Sequence, residues 1–445
     1  MKKEIKHIGV LGAGLVGALL SIYLRKRGYK VSLYEKRDDM RKSSSDSGRS
    51  INLALSRRGI KALEDIGVIE EVEKIMLPME GRMMHSQDGE LTFQPYGKEG
   101  QYINSVSRGN LNKILLNKAE AEGVEIKFEY TCQKVDLDGT SVTFKTPDGE
   151  KTMQFDLLFG SDGAYSKMRQ ALVKTDRFNY EQYYIPHGYK ELSIPPTEDG
   201  DFAIAPNALH IWPRGQYMLI ALPNLDKSFT CTLFFPFEGQ PSFESLQTPQ
   251  QVLNFFRNTF PDSLPHLKNI QEEYFENPTS SLVTVKCEPW VKNNCVLIGD
   301  AAHAIVPFYG QGMNAGFEDC YELNLLLNKY SDDWEKTLEE YQELRKKDGD
   351  AIADLALHNF IEMRDLVADD KFLVQKKIEA KLHEKFPEKW IPLYSMVTFS
   401  DLRYSEAFEI GKKQQVIMDE VMQNSDILGN WESIDLEEIV QKLED

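Results

Sequence analysis

The sequence is short of cysteine, and the cysteines it has are scattered. Its 445 residues include five, an odd number with no C-x-x-C pair. Such usage is typical of reduced thiols rather than of a disulfide framework. The eight histidines lack the spacing of metal ligands. His358 and Glu362 stand one helical turn apart, but such a pair is too few ligands for a metal site. We therefore expect neither disulfides nor a bound metal.

Positive charge and long apolar runs are scarce too. The formal net charge is -18, which disfavours nucleic acid and anionic lipid as partners. No segment reaches the roughly 20 apolar residues that span a bilayer. The N-terminal segment MKKEIKHIGVLGAGLVGALL has the basic start and apolar run of a signal peptide, but its glycine spacing and the following RKRG argue against one. These features predict a soluble, cytoplasmic protein.

What the chain does have is a glycine turn near its start. Gly12, Gly14 and Gly17 form a G-x-G-x-x-G motif directly after the predicted strand 8–11, and Glu35 closes the next predicted strand. This arrangement lets a backbone turn approach a pyrophosphate while the carboxylate holds a ribose hydroxyl. An acidic residue suits a ribose without a 2′-phosphate. The segment therefore predicts a site for FAD or NAD.

Two further segments interrupt the regular βαβ pattern of a plain dehydrogenase. FDLLFGSDGAYSKMRQAL and NNCVLIGDAAHAIVPFYGQGMNAGFEDC each read as a strand with a Gly/Asp end before a helix. The second helix opens with Gly310 to Asn314, although glycine costs about 1 kcal/mol inside a helix. Close packing is one explanation. The other is that bare N–H groups at a helix N-terminus face a ligand with negative charge.

These three motifs, in this order, resemble the flavin-dependent aromatic hydroxylases, the family of p-hydroxybenzoate hydroxylase. The resemblance implies an α/β fold in which a Rossmann-like FAD-binding domain is interleaved with a sheet-rich substrate domain. It also implies that the glycine turn takes the pyrophosphate, that Asp300 holds the ribitol, and that the helix after it points at the flavin. The implied FAD-binding residues are Gly12, Gly14, Val16, Gly17, Tyr34, Glu35, Lys36, Arg37, Ala54, Arg108, Cys132, Asp162, Asp300, Gly312, Met313 and Asn314.

A narrower resemblance covers nearly the whole chain. GRSINLALSRRGIKAL, HNFIEMR and PLYSMVTFSDLRYSEA are similar to segments of the kynurenine 3-monooxygenase family. Membership would imply hydroxylation of L-kynurenine with NADPH and O2 through a flavin C4a-hydroperoxide. No catalytic acid or base is implied, because the cofactor carries the chemistry. With no second dinucleotide motif in the sequence, NADPH is expected to bind transiently. Arg49 is a candidate for its phosphates, or else a solvated loop arginine.

The same resemblance implies a substrate pocket. Arg82, Tyr96, Asn359 and Tyr394 match residues that hold the amino-acid end of kynurenine, and Phe308 and Met363 match residues that line the aromatic pocket. Tyr309 departs from the phenylalanine or histidine expected beside Phe308.

The residues alone leave several of these roles open. Arg82 could be a surface cation, Asn359 a satisfied core amide, and Tyr394 a buried aromatic with its hydroxyl bonded. The hairpin around SQDG has two registers. A three-residue loop with Gly89 in the left-handed conformation places Arg82 and Tyr96 on one face, whereas a two-residue loop places them on opposite faces.

We predict three units. The FAD-binding domain takes 1–78, 103–178 and 287–330, the substrate domain takes 79–102 and 179–286, and a helical region takes 331–445. The last is expected to begin at Ser331, to bury Trp334, Leu338, Tyr341 and Leu344, and to end in a packed acidic helix.

Other functions remain open at this stage. A flavin halogenase or isoprenoid reductase would share the fold, although the halogenase motif W-x-W-x-I-P is missing, since Trp212 is followed by Pro213 and Arg214. An NAD dehydrogenase and a non-catalytic nucleotide sensor are the further alternatives.

Overall fold

The computed structural model describes residues 4–42, 52–96, 100–362, 370–423 and 426–443. Two residues named above, Arg49 and Met363, lie outside this range. The strands, in chain order, are β1 His7–Leu11, β2 Lys30–Tyr34, β3 Asn52–Leu55, β4 Met76–Met79, β5 Gly81–His85, β6 Leu91–Pro95, β7 Ile103–Ser107, β8 Glu125–Lys127, β9 Thr131–Asp136, β10 Ser141–Thr146, β11 Gly149–Gln154, β12 Leu157–Gly160, β13 Asn179–Ile194, β14 Ala208–Arg214, β15 Tyr217–Pro223, β16 Phe229–Pro236, β17 Ser280–Glu288, β18 Val291–Lys292 and β19 Cys295–Leu297. The helices are α1 Leu15–Lys26, α2 Arg57–Ile66, α3 Ile69–Glu73, α4 Arg108–Ala121, α5 Lys167–Leu172, α6 Pro249–Thr259, α7 Ile270–Glu276, α8 Asp300–His303, α9 Gly312–Lys329, α10 Trp334–Ile361, α11 Asp370–Lys385, α12 Leu393–Phe399, α13 Tyr404–Val421, α14 Ile427–Asn430 and α15 Leu436–Gln441.

A six-stranded, mostly parallel sheet carries the glycine turn. Its order is β18-β19-β12-β1-β2-β8, and β1 lies parallel to both β2 and β12. Strands β1, β2 and β12 are almost wholly buried because helices cover the sheet. The order places the turn after β1 at the carboxyl edge, beside the ends of β2 and β12. This arrangement confirms the predicted α/β fold with a Rossmann-like sheet.

A seven-stranded sheet, β17-β13-β16-β15-β14-β5-β6, forms the second layer. Its strands alternate between two environments, as a period of two residues requires. Leu219 and Ala221 of β15 face an aromatic core beneath α6 and α7, whereas Met218, Ile220 and Leu222 line a cavity on the other side. We call this second side the cavity face. The segments QYMLIALP and FTCTLFFPF, predicted as strands, are β15 and β16.

The chain beyond α9 is helical, as predicted, within the residues that the structure describes. The boundary differs from the expected one: α10 begins at Trp334, and Asp333 caps it by accepting a hydrogen bond from the amide of Lys336. Ser331 cannot start the helix because it has a φ of 52°. Trp334, Leu338 and Tyr341 are buried in the core of the parallel sheet, whereas Leu344, which was predicted with them, is only partly buried. The division into three units by residue number stays a prediction.

The acidic C-terminal segment is a packed helix. Ile439 and Val440 of α15 are 4% and 3% exposed. Both belong to an apolar cluster that also contains Ile378 of α11 and Met418 of α13. The amphipathic pattern therefore predicted its packing correctly.

Candidate active site

A cavity of about 660 Å³ lies between the carboxyl edge of the parallel sheet and the cavity face of the seven-stranded sheet. Open α/β sheets bind ligands at such edges, and the volume suits a small-molecule site. Its two ends differ in construction. The cradle end is built around glycine turns and carboxylates, namely Gly12, Gly14, Glu35, Asp300 and Gly312. The aromatic end is built from one cation and several rings, namely Arg82, Tyr96, Phe308, Tyr309 and Tyr394.

The three glycines of the first turn have separate roles. A Cβ on Gly17 would lie 1.9 Å from the carbonyl oxygen of Gly12, so α1 packs directly on the turn. Gly12 has a φ of +96°, and a Cβ there would lie 2.6 Å from the carbonyl oxygen of Ser161. A Cβ on Gly14 would meet no protein atom within 4 Å. Only Gly14 is therefore free to face a ligand, while Gly12 and Gly17 hold the turn together.

Glu35 is fixed at the end of β2. One carboxylate oxygen accepts a hydrogen bond from the amide of Ala13 at 3.1 Å, and the other accepts from the amide of Arg37 at 3.1 Å. The first bond ties the carboxylate to the glycine turn. Because the carboxylate also lines the cavity, it is positioned to accept a hydrogen bond from a ligand hydroxyl beside the turn.

The two aspartates of the Gly/Asp motifs differ in how far protein groups already occupy their carboxylates. The Asp162 carboxylate accepts hydrogen bonds from the Ser166 hydroxyl at 2.5 Å and from the Lys167 amide at 2.6 Å. It is therefore largely used in holding the start of α5. Asp300 also lines the cavity, but it opens α8 with its side chain exposed. Of the two, Asp300 has the carboxylate available to a ligand.

The glycine-containing segment before α9 forms a 3-10 turn and then the start of the helix. A 3-10 turn at Pro307–Tyr309 ends in Gly310, which has a φ of +67°, and α9 begins two residues later at Gly312. The helix therefore starts later than predicted, because the left-handed conformation of Gly310 cannot continue a helix. Gly310 and Gly312 line the cavity. The first amides of a helix have no partner within it, so this end presents N–H groups and a partial positive charge.

Asn314 locks this helix end against β3. Its side-chain amide donates to the carbonyl oxygens of Ala54 at 2.8 Å and of Gly310 at 3.0 Å, and its oxygen accepts from the amide of Ser56 at 3.0 Å. The side chain is therefore fully used in positioning the turn. Only the backbone of Asn314 remains for a ligand.

The hairpin β5–β6 has the three-residue loop. Ser86 pairs with Glu90 around Gln87, Asp88 and Gly89, and Gly89 has a φ of +82°. Arg82 pairs with Gln94, two residues before Tyr96. Of the two registers left open by the sequence, the structure has the one that places Arg82 and Tyr96 on the same face.

Arg82 lies in a stack of tyrosines. Its guanidinium carbon is 4.6 Å from the ring centre of Tyr394 and 5.7 Å from that of Tyr96. The rings of Tyr96, Tyr394 and Tyr309 follow one another at centroid distances of 5.5 Å. Among the described residues, neither the buried Nε of Arg82 nor the buried hydroxyl of Tyr96 has a hydrogen-bond partner. A buried guanidinium nitrogen without a partner at a cavity wall indicates an anionic ligand.

Asn359 does not reach the cavity with the others. Its side-chain amide donates to the carbonyl oxygen of Phe308 at 2.7 Å, so it lies behind the wall and fixes the position of that residue. The Phe308 ring packs against Phe234 and Phe360 at 4.8 Å and 4.4 Å. The alternative of a bonded core amide therefore describes part of what Asn359 does.

The structure brings most of the predicted residues to one cavity. Arg82, Phe308 and Tyr394 line it, while Tyr96 contacts it through Arg82 and Tyr394. Gly17 and Asn314 lie behind the wall. Their roles toward a ligand, and those of the rest, stay predictions. The predicted cofactor-binding residues in the wall are Gly12, Gly14, Val16, Tyr34, Glu35, Lys36, Arg37, Ala54, Arg108, Cys132, Asp162, Asp300, Gly312 and Met313.

Sequence reasoning missed a buried ion network behind the cradle end. The Asp319 carboxylate accepts hydrogen bonds from the amide of Gly299 at 3.0 Å and from Nε of Arg345 at 2.8 Å, and it lies 2.6 Å from Nε2 of His303. Burial would lower the pKa of His303, but the adjacent carboxylate outweighs burial and raises it. The network joins α8, α9 and α10 and so fixes Asp300. No signal in the sequence marked this network, because Arg345 lies within the highly charged stretch ELRKKDGD of α10.

The apolar wall was also missed, although its signal was present. Leu209, Ile211, Met218, Ile220 and Phe234 all line the cavity from the seven-stranded sheet. They alternate along their strands with residues of the opposite core, so a period of two would have identified them as one face.

Neither a metal site nor a membrane-spanning helix is found among the described residues. Within the described ranges, no group of three or more His, Cys, Asp or Glu residues could hold a metal ion. Of the helices present in those ranges, none combines the length and the apolar character that a membrane crossing requires.

Comparison with solved structures defines the class of protein. The oxygenase of 2-methyl-3-hydroxypyridine-5-carboxylic acid is 20% identical and superimposes with a TM-score of 0.68, covering 82% of this chain and 94% of the other. PqsL of Pseudomonas aeruginosa, a probable FAD-dependent monooxygenase, gives a TM-score of 0.66 at 20% identity, with 82% and 97% covered. The FAD binding domain family matches residues 6–356. The fold is therefore that of the FAD-dependent monooxygenases.

Close relatives narrow the class. The kynurenine 3-monooxygenase of Christiangramia forsetii is 49% identical over 449 aligned positions, covering 100% of this chain and 99% of that protein. The enzyme of the same name from Flavobacterium johnsoniae is 50% identical with the same coverage, and that of Sus scrofa is 49% identical over 90% of this chain and 85% of its own. The chain belongs to the kynurenine 3-monooxygenase family and is a flavin-dependent aromatic monooxygenase.

Proposed function

We propose that the protein hydroxylates L-kynurenine to 3-hydroxykynurenine, with FAD as bound cofactor and NADPH and O2 as co-substrates. The names of its relatives support this substrate. The single observation that carries it is the buried Nε of Arg82, which has no hydrogen-bond partner among the described residues and lies at the end of an apolar, aromatic cavity. Kynurenine offers the matching chemistry, since it joins an α-amino acid to an aminobenzoyl ring.

The amino-acid end of the substrate lies at Arg82 in this proposal. A guanidinium offers two parallel N–H groups to a carboxylate, a geometry that lysine cannot reproduce. The hydroxyl of Tyr96 has no partner among the residues described and would add a further hydrogen bond. Leaving such groups unpaired in a buried site costs about 1–3 kcal/mol each. A bound carboxylate removes that cost.

The ring of the substrate lies against the apolar wall. Phe308 is held by its contacts with Phe234 and Phe360 and by the hydrogen bond from Asn359 to its carbonyl. Ile211 and Met218 belong to the same wall. An aromatic ring placed among these side chains would be fixed by shape and kept away from water.

The cradle end would hold FAD. Gly14 leaves open space for the pyrophosphate, Glu35 accepts from the ribose, and Asp300 accepts from the ribitol. The N-terminus of α9 would stabilise negative charge on the reduced flavin, because its N–H groups and dipole point at the cavity. When bound, FAD would supply the redox chemistry, taking two electrons from NADPH and passing one oxygen atom of O2 to the substrate ring while the other leaves as water.

Tyr394 makes the helical region part of the site. It comes from α12, yet it stacks between Tyr96 and Tyr309 and covers Arg82. Substrate held by Arg82 would therefore also hold this helix against the cavity. Such closure excludes water from the reacting groups.

The test is oxygen uptake by the purified flavoprotein with NADPH and either L-kynurenine or p-hydroxybenzoate. We expect uptake to rise with kynurenine only, and the product to gain one oxygen atom by mass. A colourless protein would contradict FAD binding. NADPH consumption that no aromatic compound stimulates would favour a nucleotide sensor, and stimulation by p-hydroxybenzoate alone would favour a different aromatic substrate.

A further inference from the structure

The proposed reaction needs a place for NADPH that the fold does not obviously provide. Across the described residues, the only parallel sheet with a glycine turn is the one assigned above to FAD. The donor must still bring its nicotinamide to the flavin. A second nucleotide would therefore have to bind at the mouth of the same cavity, on side chains rather than on a βαβ unit.

A group of exposed tyrosines lies at that mouth. Tyr165, in the loop after β12, lines the cavity with 60% of its surface exposed, and Tyr184 of β13 is 51% exposed. Tyr184 pairs with Val283 of β17, which also lines the cavity. Partial burial and the Tyr184 hydroxyl together raise the pKa of Tyr165. Tyr189 continues the row along β13 into the cavity wall. Large rings are seldom left in water without a function when they border a binding site.

Hydrogen bonds hold this row in place. Tyr180, Gln182 and Tyr184 lie at alternate positions of β13 and therefore on one face of the strand. The Tyr180 hydroxyl donates to the Gln182 side-chain oxygen, and the Gln182 amide donates to the Tyr184 hydroxyl at 2.9 Å. Arg169 supports the far end, with its guanidinium carbon 5.2 Å from the ring centre of Tyr180. The rings are thus ordered before any ligand arrives.

The charge beside the row suits an anion. Lys167 lines the cavity two residues after Tyr165, and its side chain is exposed. The protein as a whole carries a net charge of -18, so a polyanionic nucleotide needs a local cation to approach. Rings and a cation together fit a nucleotide better than they fit an acidic protein surface.

We propose that Tyr165 and Tyr184 form a stacking platform for the base rings of NADPH at the cavity mouth, with Lys167 beside its phosphates. This site rests on the proposed function, because it serves the electron donor of that reaction. In the step that this site serves, the C4–H bond of the reduced nicotinamide breaks, and its hydrogen passes with both electrons to the flavin. The nicotinamide is oxidised and the flavin is reduced.

The test measures flavin reduction by NADPH without oxygen, in the holoenzyme saturated with kynurenine. Base stacking on an aromatic side chain contributes roughly 1–3 kcal/mol. Tyr165→Ala and Tyr184→Ala should therefore each raise the NADPH concentration for half-maximal reduction rate by roughly fivefold to 100-fold. Tyr165→Phe and Tyr184→Phe keep the ring and should keep the wild-type value. Flavin content, kynurenine affinity and reduction by dithionite should be unchanged in all four.

Phe275→Ala is the matched control, because Phe275 is an aromatic residue of α7 with 45% exposure. It should leave the NADPH dependence unchanged. An unchanged dependence in both tyrosine-to-alanine variants would overturn the platform, and so would an equal loss in the phenylalanine variants. A changed oligomeric state with unchanged NADPH dependence would assign the row to contacts between copies and also overturn it. If wild-type flavin is reduced by dithionite but not by NADPH, the proposed function has failed at its donor, and that result is distinct from the others.

Discussion

The two ends of the cavity are built in different ways. At the cradle end, the groups that face the cavity come from short, contiguous segments: a turn after a strand, the end of the next strand, and a helix N-terminus. At the aromatic end, Arg82, Tyr309 and Tyr394 come from a hairpin, a 3-10 turn and a late helix. Local sequence can encode the first kind of site, whereas the second exists only after distant segments have packed together.

The sharpest test of the cradle end separates folding from binding. Gly17→Val should destabilise the protein by about 1–3 kcal/mol or more, because its Cβ would overlap the carbonyl oxygen of Gly12. Gly14→Val meets no protein atom, so it should fold normally but purify with little FAD. Thermal unfolding and flavin absorbance measure the two effects. If Gly14→Val retained full FAD, the turn would not be where the pyrophosphate binds.

Arg82→Lys tests the aromatic end. It keeps the charge but loses the planar fork, so kynurenine should bind more weakly by roughly 1.5–3 kcal/mol, as for a hydrogen bond to a charged group. Titration of the flavin spectrum with kynurenine gives the affinity. Flavin content should not change, and Arg257→Lys on the exposed face of α6 serves as the control. An unaltered affinity would remove Arg82 from carboxylate binding.

A pair of aspartates sharpens the comparison within the cradle end. Asp162→Ala should lower stability by about 0.5–2 kcal/mol, as for loss of a helix cap, because its carboxylate holds the start of α5. Asp300→Ala should leave stability close to wild type and yield poorly flavinated protein. Chemical denaturation of the flavin-free proteins, beside their affinity for added FAD, distinguishes the two. The assignment of roles would be reversed if Asp162→Ala alone lost flavin.

The smallest effect is expected from Tyr394→Phe, which removes a hydroxyl and almost no volume. Kynurenine should bind more weakly by about 0.5–1.5 kcal/mol, as for one neutral hydrogen bond. A larger share of NADPH oxidation should end as hydrogen peroxide, because a looser closure admits water. Peroxide is measured beside 3-hydroxykynurenine at saturating substrate. A wild-type ratio of the two would show that Tyr394 does not help to exclude water.

Much of the fold was predictable because its signals are local. The glycine spacing, the strands around it and the alternation in β15 and β16 all depend on neighbours a few residues apart. The predicted start of α10 at Ser331 was wrong, because the chain makes a turn there before Asp333 caps the helix. The identity of Ser331 does not reveal that its backbone is left-handed. The side-chain network of Asp319, His303 and Arg345 could not be predicted, since no sequence spacing pairs residues across three helices.

By itself the sequence determined the glycine turn after β1 and the acid at the end of β2, because both are properties of a short segment. It also narrowed the hairpin to two registers. Only the tertiary structure selected the register with Arg82 and Tyr96 on one face, placed Tyr394 over that cation, and moved the Asn359 side chain behind Phe308. Those outcomes depend on which surfaces are buried against each other, and burial is decided by the packing of the whole chain.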